Sequence, residues 1–288
     1  MMYSTKTFTL KKLVLALAIA GYAMNSAYAV LTNPTGTIQG RAPVLSAPSN
    51  NAPQTVDLSS NAAGDNLSTG DTITLSYAYA DLDGDADNST SQVHWYYVKE
   101  GVETEITGSI LNTPATESTP GTSVLTIPAI ALGAEAIKVV IQEYSASGAP
   151  RAGQTITVND TSEGGGGTVT PPGPIMPGGN VTPGIYLSTD TAFANNLIGS
   201  ATNLNVGDTY VFRLWDSAAA GATDLTSSVS YNWRLVGTSA TTNTTAPAEG
   251  FDTQTTDGNF TIPANTDGTL LTGSADGVQG FSLAVDYN

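Results

Sequence analysis

The chain repeats itself, and the repeat is the strongest constraint on how it can fold. LSTGDTITLSYAYAD at 67–81 matches LNVGDTYVFRLWD at 204–216, and VHWYYVKEG at 93–101 matches SYNWRLVGT at 230–238. SVLTIPAI at 123–130 matches GNFTIPAN at 258–265, and IKVVIQEY at 137–144 matches FSLAVDYN at 281–288. APVLS at 42–46 also finds GIYLS at 184–188. The blocks keep their order, so one domain type is present twice. Between the copies runs EGGGGTVTPPGPIMPGGNVTPG. Glycine gives freedom and proline gives extended stiffness, and neither brings a side chain suited to a core. The reading is a domain at 40–159, a Gly/Pro linker at 160–183 and a domain at 184–288, preceded by a short polar tail at 30–39.

Within the repeats the hydrophobic period is two. Ile73, Leu75, Tyr77 and Tyr79 alternate with small polar residues; so do Tyr210, Phe212 and Leu214, and Phe281, Leu283, Val285 and Tyr287. Val93, Trp95 and Tyr97 share one strand face, as do Tyr231, Trp233 and Leu235. This is the pattern of half-buried antiparallel strands, and no stretch after residue 29 carries a helical period. Short strands separated by Gly, Asn, Asp and Pro turns predict a β-sandwich for each copy. Trp95 and Trp233 each fall mid-strand about 25 residues after a Gly-Asp-Thr turn, where an immunoglobulin-like sandwich keeps its central core Trp. They are therefore read as core residues. The fold class expected is all-β: two tandem immunoglobulin-like β-sandwiches.

Residues 1–29 join a Lys6, Lys11, Lys12 front to an apolar run at 13–21 and end in Ala27-Tyr28-Ala29. That is the pattern of a cleaved secretory leader, and the run is shorter than the roughly 20 residues a membrane span needs. No membrane insertion is expected after cleavage. The chain has no Cys, so an exported protein of this kind has to stand on apolar cores rather than disulfides. The formal charge is −16, and because the leader holds three lysines and no acid the remainder carries −19. So acidic a surface argues against nucleic acid and anionic membranes as partners.

GDTITLSYAYADLDGDADNSTSQVHWYYV and LTIPAIALGAEAIKVVIQEYSASG resemble the bacterial immunoglobulin-like repeats of the invasin and intimin group. The two-domain layout, the leader and the closing GFSLAVDYN are similar to the SinI-family autotransporter-associated exoproteins. The resemblance implies a non-enzymatic protein secreted through the periplasm, with an invasin-like outer-membrane β-barrel translocator as partner and a protein or host surface as target. Two other functions stay open: a structural spacer or subunit of a surface adhesin, and a carbohydrate-binding module using the acidic loop and exposed aromatics. The second copy departs from the pattern where DSAAAGATDLTSS at 216–228 replaces the acidic loop.

That loop, YADLDGDADN at 79–88, holds Asp81, Asp83, Asp85 and Asp87. An EF-hand needs ligands at loop positions 1, 3 and 5, Gly at 6 and Glu at 12. Counting from Asp81 puts Gly84 at position 4 and Gln92 at 12; counting from Asp83 puts Asn88 at 6 and His94 at 12. Neither register fits. The loop is read as a solvated turn, with a looser calcium site as the alternative, and no metal or cofactor is assigned. His94 is the sole His and is expected to point outward with Tyr96 and Val98. One His without Cys makes neither a zinc site nor a convincing nucleophile–base pair, so no catalytic residue is assigned and the protein is not expected to be an enzyme. Finally, IKVVIQEY is followed by a strand-like QTITV at 154–158, whereas FSLAVDYN has no such follower. The second domain should thus present an open strand edge, either paired by the translocator or a receptor, or covered by linker residues or the 240–257 loop.

Overall fold

The computed structural model describes residues 31–167 and 170–288. The expected leader at 1–29 lies outside the described residues. Residues 31–39 belong to a unit separate from 40–288 and carry no strand or helix.

In the unit 40–288 the fold is all-β and sandwich-type. The first half holds β1 (Val44–Ser46), β2 (Asp57–Ser60), β3 (Thr72–Ala80), β4 (Val93–Lys99), β5 (Val102–Ile106), β6 (Ile110–Thr113), β7 (Gly121–Thr126), β8 (Ala136–Tyr144) and β9 (Ala152–Val158). One sheet runs β2-β3-β7-β6 with β1 also paired to β3, and the other runs β5-β4-β8-β9. Leu45, Ile73, Leu75, Tyr77 and Leu125 of the first sheet meet Trp95, Ile137, Val139 and Ile141 of the second in one buried core. The alternation read from the sequence decides which residues these are: in β3 every second residue through Tyr77 is buried.

After β10 (Gly166–Gly167), the second half holds β11 (Thr182–Leu187), β12 (Thr209–Trp215), β13 (Tyr231–Gly237), β14 (Phe251–Thr256), β15 (Phe260–Thr261), the helix α1 (Asn265–Thr272) and β16 (Phe281–Tyr287). Its sheets are β11-β12-β15 and β14-β13-β16, and a second core gathers around Phe212, Leu214, Trp233 and Leu235. α1 is a departure from the strand-only expectation. Its only buried residues are Gly268 and Thr272, so it has no apolar stripe for a helical period to reveal. Gly273, with φ of 70°, stops it by donating its N–H to the Thr269 carbonyl.

The duplication holds down to single hydrogen bonds. Gly70 and Gly207 share a φ of 91°, a conformation glycine adopts without strain. Gly70 N–H donates to Ile127 O and Ile127 N–H to Asp71 O; Gly207 N–H donates to Ile262 O and Ile262 N–H to Asp208 O. The Gly-Asp-Thr turn of each half thus clasps its own Thr-Ile-Pro segment. Trp95 pairs with Val139 and Trp233 with Val285, and β1 pairs with β3 as β11 pairs with β12.

The Gly/Pro linker is held along its length. Residues 160–183 do join the halves, but they are docked. Gly166 pairs with Asp57 of β2, and Leu67 N–H donates to Pro172 O, Ile175 N–H to Ala134 O and Met176 N–H to Leu67 O. Ile175 is fully buried in the first core and Val181 in the second. The glycines and prolines set the path, while two aliphatic residues anchor it. The halves also touch directly. Ala129 and Leu132, in the turn before β8, belong to the second core, and Lys99 Nζ donates to Leu132 O at 3.1 Å and Ser228 Oγ at 2.8 Å.

Truncating a buried aliphatic side chain in a packed site costs about 2–4 kcal/mol. Ile175→Ala is therefore expected to lower the unfolding midpoint in a denaturant titration of the full chain. A free tether would leave the midpoint unchanged.

Candidate functional site

Two places carry the chemistry singled out above: the acidic loop between β3 and β4, and the outer edge of β16. The loop divides its four carboxylates three to one. Ligand oxygens of Asp81, Asp83 and Asp85 lie within 4.8 Å of one another. Each is already engaged: Asp83 accepts Arg41 N–H at 2.5 Å, Asp81 accepts Asp83 N–H at 2.7 Å and the Tyr79 hydroxyl at 3.3 Å, and Asp85 accepts the Ser147 hydroxyl. Gly84, with φ of 84°, makes the turn that folds them together. The trio could hold a small cation by carboxylate oxygens, but its hydrogen bonds are those of a turn that closes onto Arg41 and Ser147.

Asp87 does something else. Its carboxylate accepts the Tyr77 hydroxyl at 2.7 Å, Ser89 N–H at 2.8 Å and Ala115 N–H at 2.7 Å. It ties β3, the entry to β4 and the segment before β7. Burial first, and then the bond to Asp87, push the Tyr77 hydroxyl far above the ordinary tyrosine range; Tyr79 is raised likewise, by burial and then by the charge of Asp81. Both hydroxyls remain proton donors to the loop.

The other residues fall largely where the alternation puts them. Trp95 and Trp233 are fully buried; Trp95 Nε1 donates to Ser123 Oγ at 2.9 Å and Trp233 Nε1 to Gly258 O at 2.7 Å. His94 points outward and meets Glu105 Oε1 at 2.7 Å. On the same face Lys138 lies 5.8 Å from the Tyr96 ring centre and 2.8 Å from Glu103. That face is laced with charge rather than apolar.

A partly exposed aromatic group was not anticipated. Phe193 packs 5.3 Å from Tyr186 and 5.7 Å from Trp215, with the Arg213 guanidinium 4.7 Å from its ring centre. Phe193 sits at φ of 51°, uncommon for a bulky residue, in a turn capped by Asp190 accepting Asn195 N–H at 2.9 Å. The cluster closes on itself across the outside of β11 and β12.

At the other place, β16 pairs with β13 on one side only and ends its sheet. Its counterpart β8 carries β9 on that side, where Ile156 and Val158 are buried. One group sequence reasoning missed holds β9 in place there. Glu143 of β8, almost fully buried, accepts Leu45 N–H at 2.9 Å and Gln154 N–H at 2.6 Å, fastening β9 to the opposite sheet. In the second half Tyr287 stands opposite Tyr231 as Ile141 stands opposite Val93, and it packs on Phe212 at 5.5 Å. Among the described residues neither expected cover pairs with the open edge: β14, within the 240–257 loop, pairs with the far side of β13, and Val181 is held in the core. Behind the edge runs a groove of about 780 Å³, whose walls include Ile185, Leu197, Leu204, Leu283 and Val285 and contain no charged residue.

Comparison with known proteins supplies no assignment: no family model matches the chain, and no curated protein matches its sequence. Among the described residues no helix is long and apolar enough to cross a membrane.

Removing Asp87 leaves a buried hydroxyl and two backbone N–H groups without an acceptor, which costs roughly 3 kcal/mol. Asp87→Ala is expected to cost that much in chemical denaturation, and Asp83→Ala, in the exposed turn, under about 1 kcal/mol. Equal losses would show that the loop works as a single unit.

Proposed function

We propose that the protein is an exported, non-enzymatic exoprotein, carried across the outer membrane by an invasin/intimin-type β-barrel and acting outside the cell by binding protein or a host surface. The two sandwiches are assigned to the immunoglobulin-like class of that group. The observation that carries the reading is the construction of the two cores. Each gathers apolar side chains around one buried Trp, and the chain has no Cys. Such domains can pass a pore unfolded and refold outside, with no need of a disulfide-forming compartment. The leader pattern at 1–29 and the acidic surface agree with this route. The sole His, paired with Glu105 on an exposed strand, favours binding over catalysis.

The docked junction favours one second reading. Lys99, Ala129 and Leu132 of the first half hold the second half directly, as suits a stiff spacer within a larger surface adhesin.

The test is release. Produced with an invasin-type barrel from the same source, the protein is expected in the culture medium; without the barrel it should accumulate in the periplasm. Release that ignores the barrel would overturn the export reading. Recovery solely in a cell-bound assembly would favour the spacer.

A further inference from the structure

The outer edge of β16 differs from the other strand edges of this molecule. Natural sheets blunt their edges with charge, proline, bulges or brevity, because an open ladder recruits another strand. β5 carries Glu103 and Glu105, β11 carries Pro183, β14 carries Asp252 and a register shift against β13, and β6 and β15 are short. β9 is neutral, but its pairing with β8 is broken by a bulge and Glu143 clamps it to the body of the domain. β16, FSLAVDY, has seven residues, no proline and an unbroken register with β13. Its one charge, Asp286, is bound by Arg234 at 2.7 Å on the outer face. Behind it lies the charge-free groove, in a chain of formal charge −16.

We propose that β16 pairs antiparallel with β16 of a second copy of this chain, making a two-fold dimer through a continuous sheet. The occupant follows from the strand's self-complementarity. With the axis at Ala284, Phe281 stands opposite Tyr287 of the second copy, Leu283 opposite Val285, and Ser282 opposite Asp286. The odd-numbered, core-side residues meet apolar residues and cover the mouth of each groove. On the outer face each Asp286 meets a serine, so no like charges are opposed, the arrangement that antiparallel pairs require. A two-fold interface has to be self-complementary in this sense. The net charge of each copy opposes association, so the dimer should tighten as salt screens it. The inference stands apart from the export route, and either can fail without the other.

The experiment is sedimentation equilibrium of the purified protein, with four variants at outward positions away from the core. The expected result is a monomer–dimer equilibrium that strengthens from low to high salt. Ser282→Asp places two Asp–Asp oppositions in each dimer and should weaken it roughly tenfold, while Ser282→Lys should tighten it. Because the chain has no Cys, Ala284→Cys adds a single thiol that lies across the axis from its own copy. Opposed residues of antiparallel strands have Cα atoms about 4.5–5.5 Å apart, within disulfide reach. Mild oxidation should therefore cross-link Ala284→Cys and leave Ser282→Cys, whose partner is Asp286, largely uncross-linked. A monomer at every concentration and salt overturns the proposal. So does a dimer indifferent to the charge of residue 282, or equal cross-linking of the two cysteine variants, since either places the contact on another face.

Discussion

Each half of this protein is organised around an indole held between two sheets. Trp95 and Trp233 are completely buried, and each spends its one polar group on an acceptor across the sandwich: Ser123 of β7 in the first half, Gly258 just before β15 in the second. An indole brings a large apolar surface and one N–H, and a buried N–H left unpaired would be costly. The bond therefore fixes where the second sheet lies over the first as well as how far apart they sit. With no cysteine anywhere in the chain, no covalent bridge duplicates that role. The Gly-Asp-Thr turn clasped to the Thr-Ile-Pro segment sets the facing sheet in the same register in both halves.

Much of this was legible because it repeats. Two copies of one pattern, aligned by their Trp and their turns, locate the strands, the buried faces and the outward-pointing His94. What could not be read depends on contacts distant in sequence. The glycine- and proline-rich stretch reads as a linker by composition, yet Ile175, buried among residues from both sheets, docks it together with Val181 and its backbone bonds. The four Asp of the acidic loop look equivalent in a string. Only the approach of Tyr77 from β3 and Ala115 from before β7 separates Asp87, an internal brace, from the three at the turn. Glu143 is similar: in sequence it is an acid near the end of a strand, and its burial against two backbone donors becomes visible only when β1 and β9 are in place. The helix α1 escaped notice because it buries a glycine and a threonine and no apolar stripe.

The same comparison of halves shows where the second departs from the first and presents a new surface. In the first half a buried carboxylate at 143 receives the backbone of β1 and β9, and the sheet continues for one more strand. In the second half Tyr287, opposite Tyr231 as Ile141 is opposite Val93, packs on Phe212, and β16 is paired on its β13 side only. The core then ends in half-buried Leu283 and Val285 beside an uncharged groove. An acidic chain ordinarily keeps such an edge from pairing by placing carboxylates on it, as β5 does with Glu103 and Glu105. On β16 the only carboxylate is bound to Arg234, one strand inward. That pair moves the negative charge off the ladder and leaves seven residues whose edge is neutral, regular and apolar on the core side. Charge repulsion between whole molecules then acts at long range and yields to salt, while the local edge contains nothing to oppose a matching strand. The specificity of such a contact lies in the alternation of the strand itself, since a shift by one residue would bring the apolar face out into water and turn Ser282 and Asp286 toward the core.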